Sequence, residues 1–274
     1  AGSLHPDNLR YHIQQCKIAT NKPFGVNVPL MYPEIESIMK IIIEEGVEIV
    51  FTSAGNPKAW TKELQSHGIK VAHVVSSSKF AIKCQEAGVD AIVAEGFEAG
   101  GHNGREETTT MVLIPQVRKV CDLPLLAAGG IGTRSGMLAA MALGAGGVQI
   151  GSRFAITEES SASDEFKKAC IALKEGDTIL SLKKVSPTRL IKNEFYNQIQ
   201  AAEDKGATSE ELREILGRGR SKKGIFEGDL VEGELEIGQI SSLIDDVPSV
   251  AVVVDSIISE YNNQLDAISS KGKF

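Results

Sequence analysis

The sequence predicts an α/β protein on a parallel sheet, of the (β/α)8 TIM-type barrel class, with a helical appendage at its C-terminal end. Three observations carry this. Short apolar, β-rich runs alternate with helix-patterned segments from Lys22 to Phe154. The runs are nearly continuous in apolar residues, as strands covered on both faces are. Small or polar residues follow every run, at the strand ends where barrel proteins build sites from all their βα loops. A doubly wound sheet concentrates its glycines after the first strand; here they gather after the last two.

The runs, in order, are KPFGVNV (22–28), VEIVFTSA (47–54), IKVAHVVS (69–76), DAIVAEG (90–96), LPLLAAGG (123–130) and GGVQIGSRF (146–154). Between them YPEIESIMKIIIEEG, NPKAWTKELQSHG, SSKFAIKCQEAG, LIPQVRKV and TRSGMLAAMALGAG place apolar residues at helical spacing, several with a glycine near the stop. Before Lys22, LHPDNLRYHIQQCKIAT reads as a helix and Ala1 to Ser3 as the tail of a loop, so the numbered chain is expected to start after the second strand of an eight-stranded barrel. Residues 1–154 then form the barrel portion and 155–240 a helical appendage. Residues 241–274 carry a last helix, at about 246–269, that returns to the barrel. GRGRSKKG within the appendage reads as a solvated loop rather than a phosphate or nucleic-acid patch.

Composition narrows the function classes. With 274 residues, 42% hydrophobic, the chain can fill a large core. A formal charge of -7 supplies no excess of cations for coating nucleic acid or an anionic membrane. No apolar run approaches the roughly 18 residues of a membrane span. Cys16, Cys84, Cys121 and Cys170 show no CxxC or metal-ligand spacing, which reads as reduced thiols and a cytoplasmic location.

Three constellations carry chemistry. Gly129 and Gly130 in LPLLAAGGIGT, with Gly151 and Ser152 in VQIGSRF, stand at the ends of adjacent strands where backbone N–H groups and helix N-termini converge on an anion; the alternative is that the glycines only permit tight βα turns. His102 in EGFEAGGHNG is presented by a glycine loop on the same face, able to accept a substrate proton or donate to it, with Glu95 and Glu98 as candidates for orienting it or bonding a cofactor. Asn27 ends the first run, and its amide suits the polar edge of a heterocycle such as a flavin; the serines at 76–78 face the same mouth. No Ser-His-Asp order, HExxH, P-loop or metal set is present, so a bound phosphorylated cofactor is expected to do the hard chemistry.

In this order and spacing GVNVP, TSAGNP, AEGFEAGGHNG, LPLLAAGGIGT and VQIGSRF resemble the nitronate monooxygenase (2-nitropropane dioxygenase) family, which includes the flavin-dependent enoyl-ACP reductase II. The resemblance is dense over residues 1 to about 160. It implies an FMN-containing (β/α)8 barrel and makes His102 the active-site histidine beside the flavin. It implies phosphate contacts from Gly129, Gly130, Gly151 and Ser152, and ring or ribityl contacts from Asn27, Ser77, Glu95, Gly101 and Gln149. The family's glycine and methionine motif after its first strand has no counterpart in this sequence. The expected activity is oxidation of alkyl nitronates. The alternative is NAD(P)H-dependent enoyl-ACP reduction, and a more distant one is a phosphate-binding barrel without catalysis. Expected partners are a small-molecule substrate, a nitronate or an enoyl thioester, with an acyl carrier protein and a second copy of the chain as further candidates. Lys183, Lys184, Arg189, Lys192, Arg218, Arg220, Lys222 and Lys223 would form a basic rim for an acidic carrier.

Overall fold

The structure is a computed structural model that describes residues 5–271. The expected loop at Ala1 to Ser3 lies outside the described residues. By its internal contacts the chain divides into two compact units, residues 1–94 with 116–126 and residues 95–115 with 127–274.

The first unit opens on helix α1 (Pro6–Ala19) and continues β1 (Gly25–Pro29), α2 (Ile35–Glu44), β2 (Ile49–Ser53), α3 (Thr61–Ser66), β3 (Lys70–Val75), α4 (Ser78–Ala87) and β4 (Ala91–Glu95), whose last residue belongs to the second unit. Each boundary has a local cause. Proline occupies the first turn of α1, where its missing N–H costs nothing, and Ser77 caps α4 by accepting from the Phe80 N–H. Gly88 ends α4 in the left-handed region at φ 80°. The strands pair in parallel with Val26 opposite Val50, Val50 opposite Val71, and Ala72 opposite Ala91. Ile38, Met39 and Ile42 of α2, Val50, Leu64, Val71, Ile92 and Val93 are buried, so apolar side chains cover the sheet.

One polar pair sits in this core. Thr52 and His73, partners in the β2–β3 register, are buried and share a 2.6 Å hydrogen bond between Oγ1 and Nδ1. Burial lowers the His73 pKa from 6.5 to about 4. A folded-state pKa below the unfolded one means that unfolding takes up a proton between these values. Stability is therefore complete above pH 6.5 and falls as pH drops toward 4, by about 3 kcal/mol for the full shift. Urea melts across that window should show the slope, and His73→Gln should remove it; an unchanged slope would place the titrating group elsewhere.

The second unit holds β5 (Gly101–His102) and, after α5 (Thr110–Val120) and β6 (Leu125–Ala128), continues α6 (Arg134–Ala142), β7 (Gly147–Gln149) and α7 (Ser152–Ala155). Then come α8 (Asp164–Ile171), β8 (Thr178–Ser181), β9 (Thr188–Ile191), α9 (Glu194–Asp204), α10 (Ser209–Leu216), α11 (Arg220–Ile225) and α12 (Val250–Ser269). The last of these packs on α6, with Val253 and Ile257 buried.

The main sheet has six strands in the order β1-β2-β3-β4-β6-β7. This order runs along the chain without the reversal that defines a doubly wound sheet, and is the order of a barrel. Two details differ from the sequence reading. The run at 146–154 ends as a strand at Gln149, and Ser152–Ala155 is helical. The region after Phe154 also carries a hairpin, β8 with β9, which pairs antiparallel with β5 in a second sheet ordered β5-β9-β8. The histidine loop therefore contains a two-residue strand.

The four cysteines are free, and Cys84, Cys121 and Cys170 are buried. Among the described residues no helix is long and apolar enough to cross a membrane and no cluster of side chains could hold a metal ion.

Candidate active site

Within the second unit lies a cavity of about 290 Å³, near the lower end of the ~300–1,000 Å³ typical of small-molecule sites. Seven of the expected site residues line it: Glu95, Gly101, Gly129, Gly130, Gln149, Gly151 and Ser152. His102 does not line it; it is exposed on the next position of β5. Asn27 and Ser77 belong to the other unit, where Asn27 is exposed on β1 and the Ser77 hydroxyl caps α4.

The glycines have separable reasons. Gly129 stands at φ 88°, and a Cβ there would lie 2.5 Å from the Gly96 carbonyl oxygen. Gly130, at φ 68°, leads into the segment that α6 begins from, with Thr133 accepting from the Gly136 N–H at 3.2 Å. Both conformations favour glycine on local grounds. Gly151 is different: its φ is -104°, and a Cβ there would meet nothing within 4 Å. Packing does not demand glycine at this position, but the absent side chain keeps the cavity wall open. Ser152 Oγ accepts from the Gly238 N–H at 2.9 Å, which leaves its own hydrogen to donate.

No lysine, arginine or histidine lines the cavity; its charged groups are the carboxylates of Glu95 and Glu236. Surrounding protein raises the Glu95 pKa from 4.5 to about 7. A raised folded-state pKa means stability that is complete below pH 4.5 and is lost as pH rises through 7. Glu95→Gln should therefore raise stability at pH 8 by on the order of 2 kcal/mol and leave it unchanged at pH 4. Melting curves at both pH values check this, and equal gains at the two would refute it.

Glu98 has another task. Its carboxylate accepts from the Thr110 N–H at 3.0 Å, capping the start of α5, while the Thr110 hydroxyl donates to the Gly129 carbonyl at 2.8 Å. Glu236 is the residue sequence reasoning missed. Ser221 Oγ lies within hydrogen-bond distance of both Glu236 and Glu234, yet a hydroxyl has one hydrogen, so one carboxyl must bring its own proton. The buried Glu234 is the candidate, its pKa pushed up to about 7 by burial and by the Glu236 charge. The available signal was an acidic alternation, GELEIG, in an otherwise apolar stretch.

Fold and cavity define an α/β protein of the parallel-barrel type whose candidate site forms beyond the carboxyl ends of its late strands. The chain belongs to the nitronate monooxygenase family, whose profile matches residues 1–260, and this makes it an enzyme of the oxidoreductase class. Its structure is similar to that of FabK from Thermotoga maritima, with 37% identity and a TM-score of 0.92 over 98% of this chain and 85% of that one. A probable nitronate monooxygenase of Staphylococcus saprophyticus is 31% identical over 84% of this chain and 67% of its own length. The (3aS,4S,5R,7aS)-5-hydroxy-7a-methyl-1-oxo-octahydro-1H-indene-4-carboxyl-CoA dehydrogenase of Rhodococcus jostii is 28% identical over 96% of this chain and 84% of its own.

Proposed function

We propose that the chain acts as an FMN-dependent oxidoreductase on alkyl nitronates. The observation that carries the FMN part of this reading is a glycine cradle sharing one cavity with two acidic side chains, and the nitronate part follows the family. Backbone N–H groups of the Gly129–Gly130 and Gly151–Ser152 loops suit a phosphate, and the open wall at Gly151 leaves room for it. Carboxylates accept from hydroxyls, so Glu95 and Glu236 suit a polyol chain between the phosphate and a ring. A ribityl phosphate has both parts, and the residues fit it.

FMN, when bound, supplies the electron transfer. The chain's own residues supply binding and proton handling. Ile237 and Ile240 line the cavity beside the cradle and give it an apolar wall. Glu95, with a pKa of about 7, can hold or release a proton on its carboxyl oxygen near neutrality. His102 takes the proton from the carbon beside a nitro group, or donates to a nitronate oxygen, through its imidazole nitrogen.

Enoyl thioester reduction with NAD(P)H is the second reading, favoured by the extent of the likeness to FabK and by relatives named for a CoA thioester. The expected basic rim gives a carrier protein less support. Arg189 is buried, while Lys183, Arg220, Lys222 and Lys223 each pair with a carboxylate.

The test is the visible spectrum of the protein after loading with FMN and gel filtration, held without oxygen. Flavin bands that ignore NADPH and NADH but change on adding a nitronate support the first reading. Rapid bleaching by a reduced pyridine nucleotide would replace it with the second. Absence of flavin bands would sink both readings.

A further inference from the structure

The loop that presents His102 is held by a strand that comes from far along the chain. His102 pairs with Thr188 and Gly101 with Arg189 in the β5–β9 ladder, and the Asn103 N–H donates to the Pro187 carbonyl at 2.8 Å. Beneath this ladder Arg189 is only 2% exposed. Its Nε donates to the Phe97 carbonyl at 3.0 Å, its guanidinium carbon lies 4.9 Å from the centre of the Phe97 ring, and Nη1 reaches the Thr178 hydroxyl at 3.4 Å.

Among the described residues no carboxylate forms an ion pair with this guanidinium. Glu98 and Glu107 attract it through charge at a distance, and each is engaged elsewhere, Glu98 with Thr110 and Glu107 with Lys183. Burying a cation without a paired anion is costly, and an apolar side chain of similar length would fill the space at less expense. What the arginine alone provides is a rigid planar donor that grips a loop carbonyl and stacks on a ring at the same time.

The backbone between Phe97 and His102 is otherwise held by neutral donors. The Glu98 carbonyl accepts from the Gln239 N–H at 2.9 Å, and Asn103 Nδ2 donates to the Ala99 and Gly101 carbonyls. Between residues 97 and 102 the charged grip is on Phe97, five residues before His102, while further along the loop Glu107 pairs with Lys183.

We infer that Arg189 is a positioning residue for His102: it clamps Phe97 from the β9 side and so sets where the β5 backbone carries the imidazole. The region after Phe154 is then part of the active site's frame. This rests on the reading of His102 given above. A misplacement of about 1 Å at a reacting group costs on the order of 10²-fold in rate, which is the effect expected here.

The experiment compares Arg189→Ala, Arg189→Lys and His102→Ala with the parent protein, each loaded with FMN. Arg189→Ala should lower kcat by about 10²-fold with KM changed by less than about twofold. Hydrogen exchange of the peptide spanning residues 96–103 should accelerate, and low concentrations of guanidinium should restore both exchange protection and kcat. Arg189→Lys should sit between the two, and it keeps the comparison usable if the alanine variant folds poorly. Parent-like kcat in both arginine variants would overturn the proposal. So would a loss of kcat with unchanged exchange at 96–103 and no guanidinium rescue. If His102→Ala turns over like the parent, the reading of His102 fails on its own, and the exchange and rescue data still decide whether Arg189 holds the loop.

Discussion

Gly129→Ala should destabilise the protein by about 3 kcal/mol, from a left-handed backbone in a residue with a Cβ and from overpacking. The Cβ would lie 2.5 Å from the Gly96 oxygen and 3.0 Å from the Gly96 nitrogen, and neither can retreat. The Gly96 N–H is committed to the Ala128 carbonyl at 2.9 Å, and the Gly129 carbonyl accepts from the Thr110 hydroxyl at 2.8 Å. Calorimetry should show a fall in Tm of about 6–10 °C for a chain of this length. Gly151→Ala is its counterpart, because that Cβ enters open space at an ordinary φ. It should melt like the parent yet bind FMN about tenfold more weakly, a loss near 1.4 kcal/mol, by fluorescence titration. If Gly151→Ala binds FMN as the parent does, the phosphate does not sit at that wall. If Gly129→Ala melts like the parent, the close approach to Gly96 is not rigid.

What the sequence made legible follows the strength of each local signal. The six strands of the main sheet and their helices have long apolar periods with glycine or capping residues at the stops, and they lie within a few residues of where those signals put them. The β8–β9 hairpin did not announce itself. Each strand is four residues long, and a short run such as TRLI has no period that separates strand from helix. The link from β9 to β5 spans more than eighty residues and has no sequence signature. Because of it the glycine loop that presents His102 is paired with a strand from far along the chain. Of the expected site residues, Gly129 and Gly130 are glycines for reasons of positive φ and close approach, whereas neither reason applies to Gly151. Glu236 was not legible, because an acid acquires its meaning from what lies beside it, here Gly101 and Ser221. Asn27 and Ser77 were read from their place at strand ends, and capping accounts for the Ser77 hydroxyl.

His102→Ala separates the proton chemistry from the binding chemistry. The imidazole is exposed on β5 and does not line the cavity, so its removal opens no core void and should change stability by no more than about 0.5 kcal/mol. FMN affinity should be unchanged for the same reason, since the cradle is built from β6, β7 and the loops that follow them. Turnover should fall by about 10²-fold or more, as expected when a general base or a positioned donor is lost. Steady-state kinetics beside an FMN titration measure both. A variant that binds FMN normally and turns over slowly places the proton transfer at His102. A variant that does both normally would move it to Glu95, the carboxyl inside the cavity whose pKa of about 7 already suits a base near neutrality. Glu95→Gln would then be the slow variant, and its deficit would grow as pH rises through 7 in the parent, where the carboxylate becomes available.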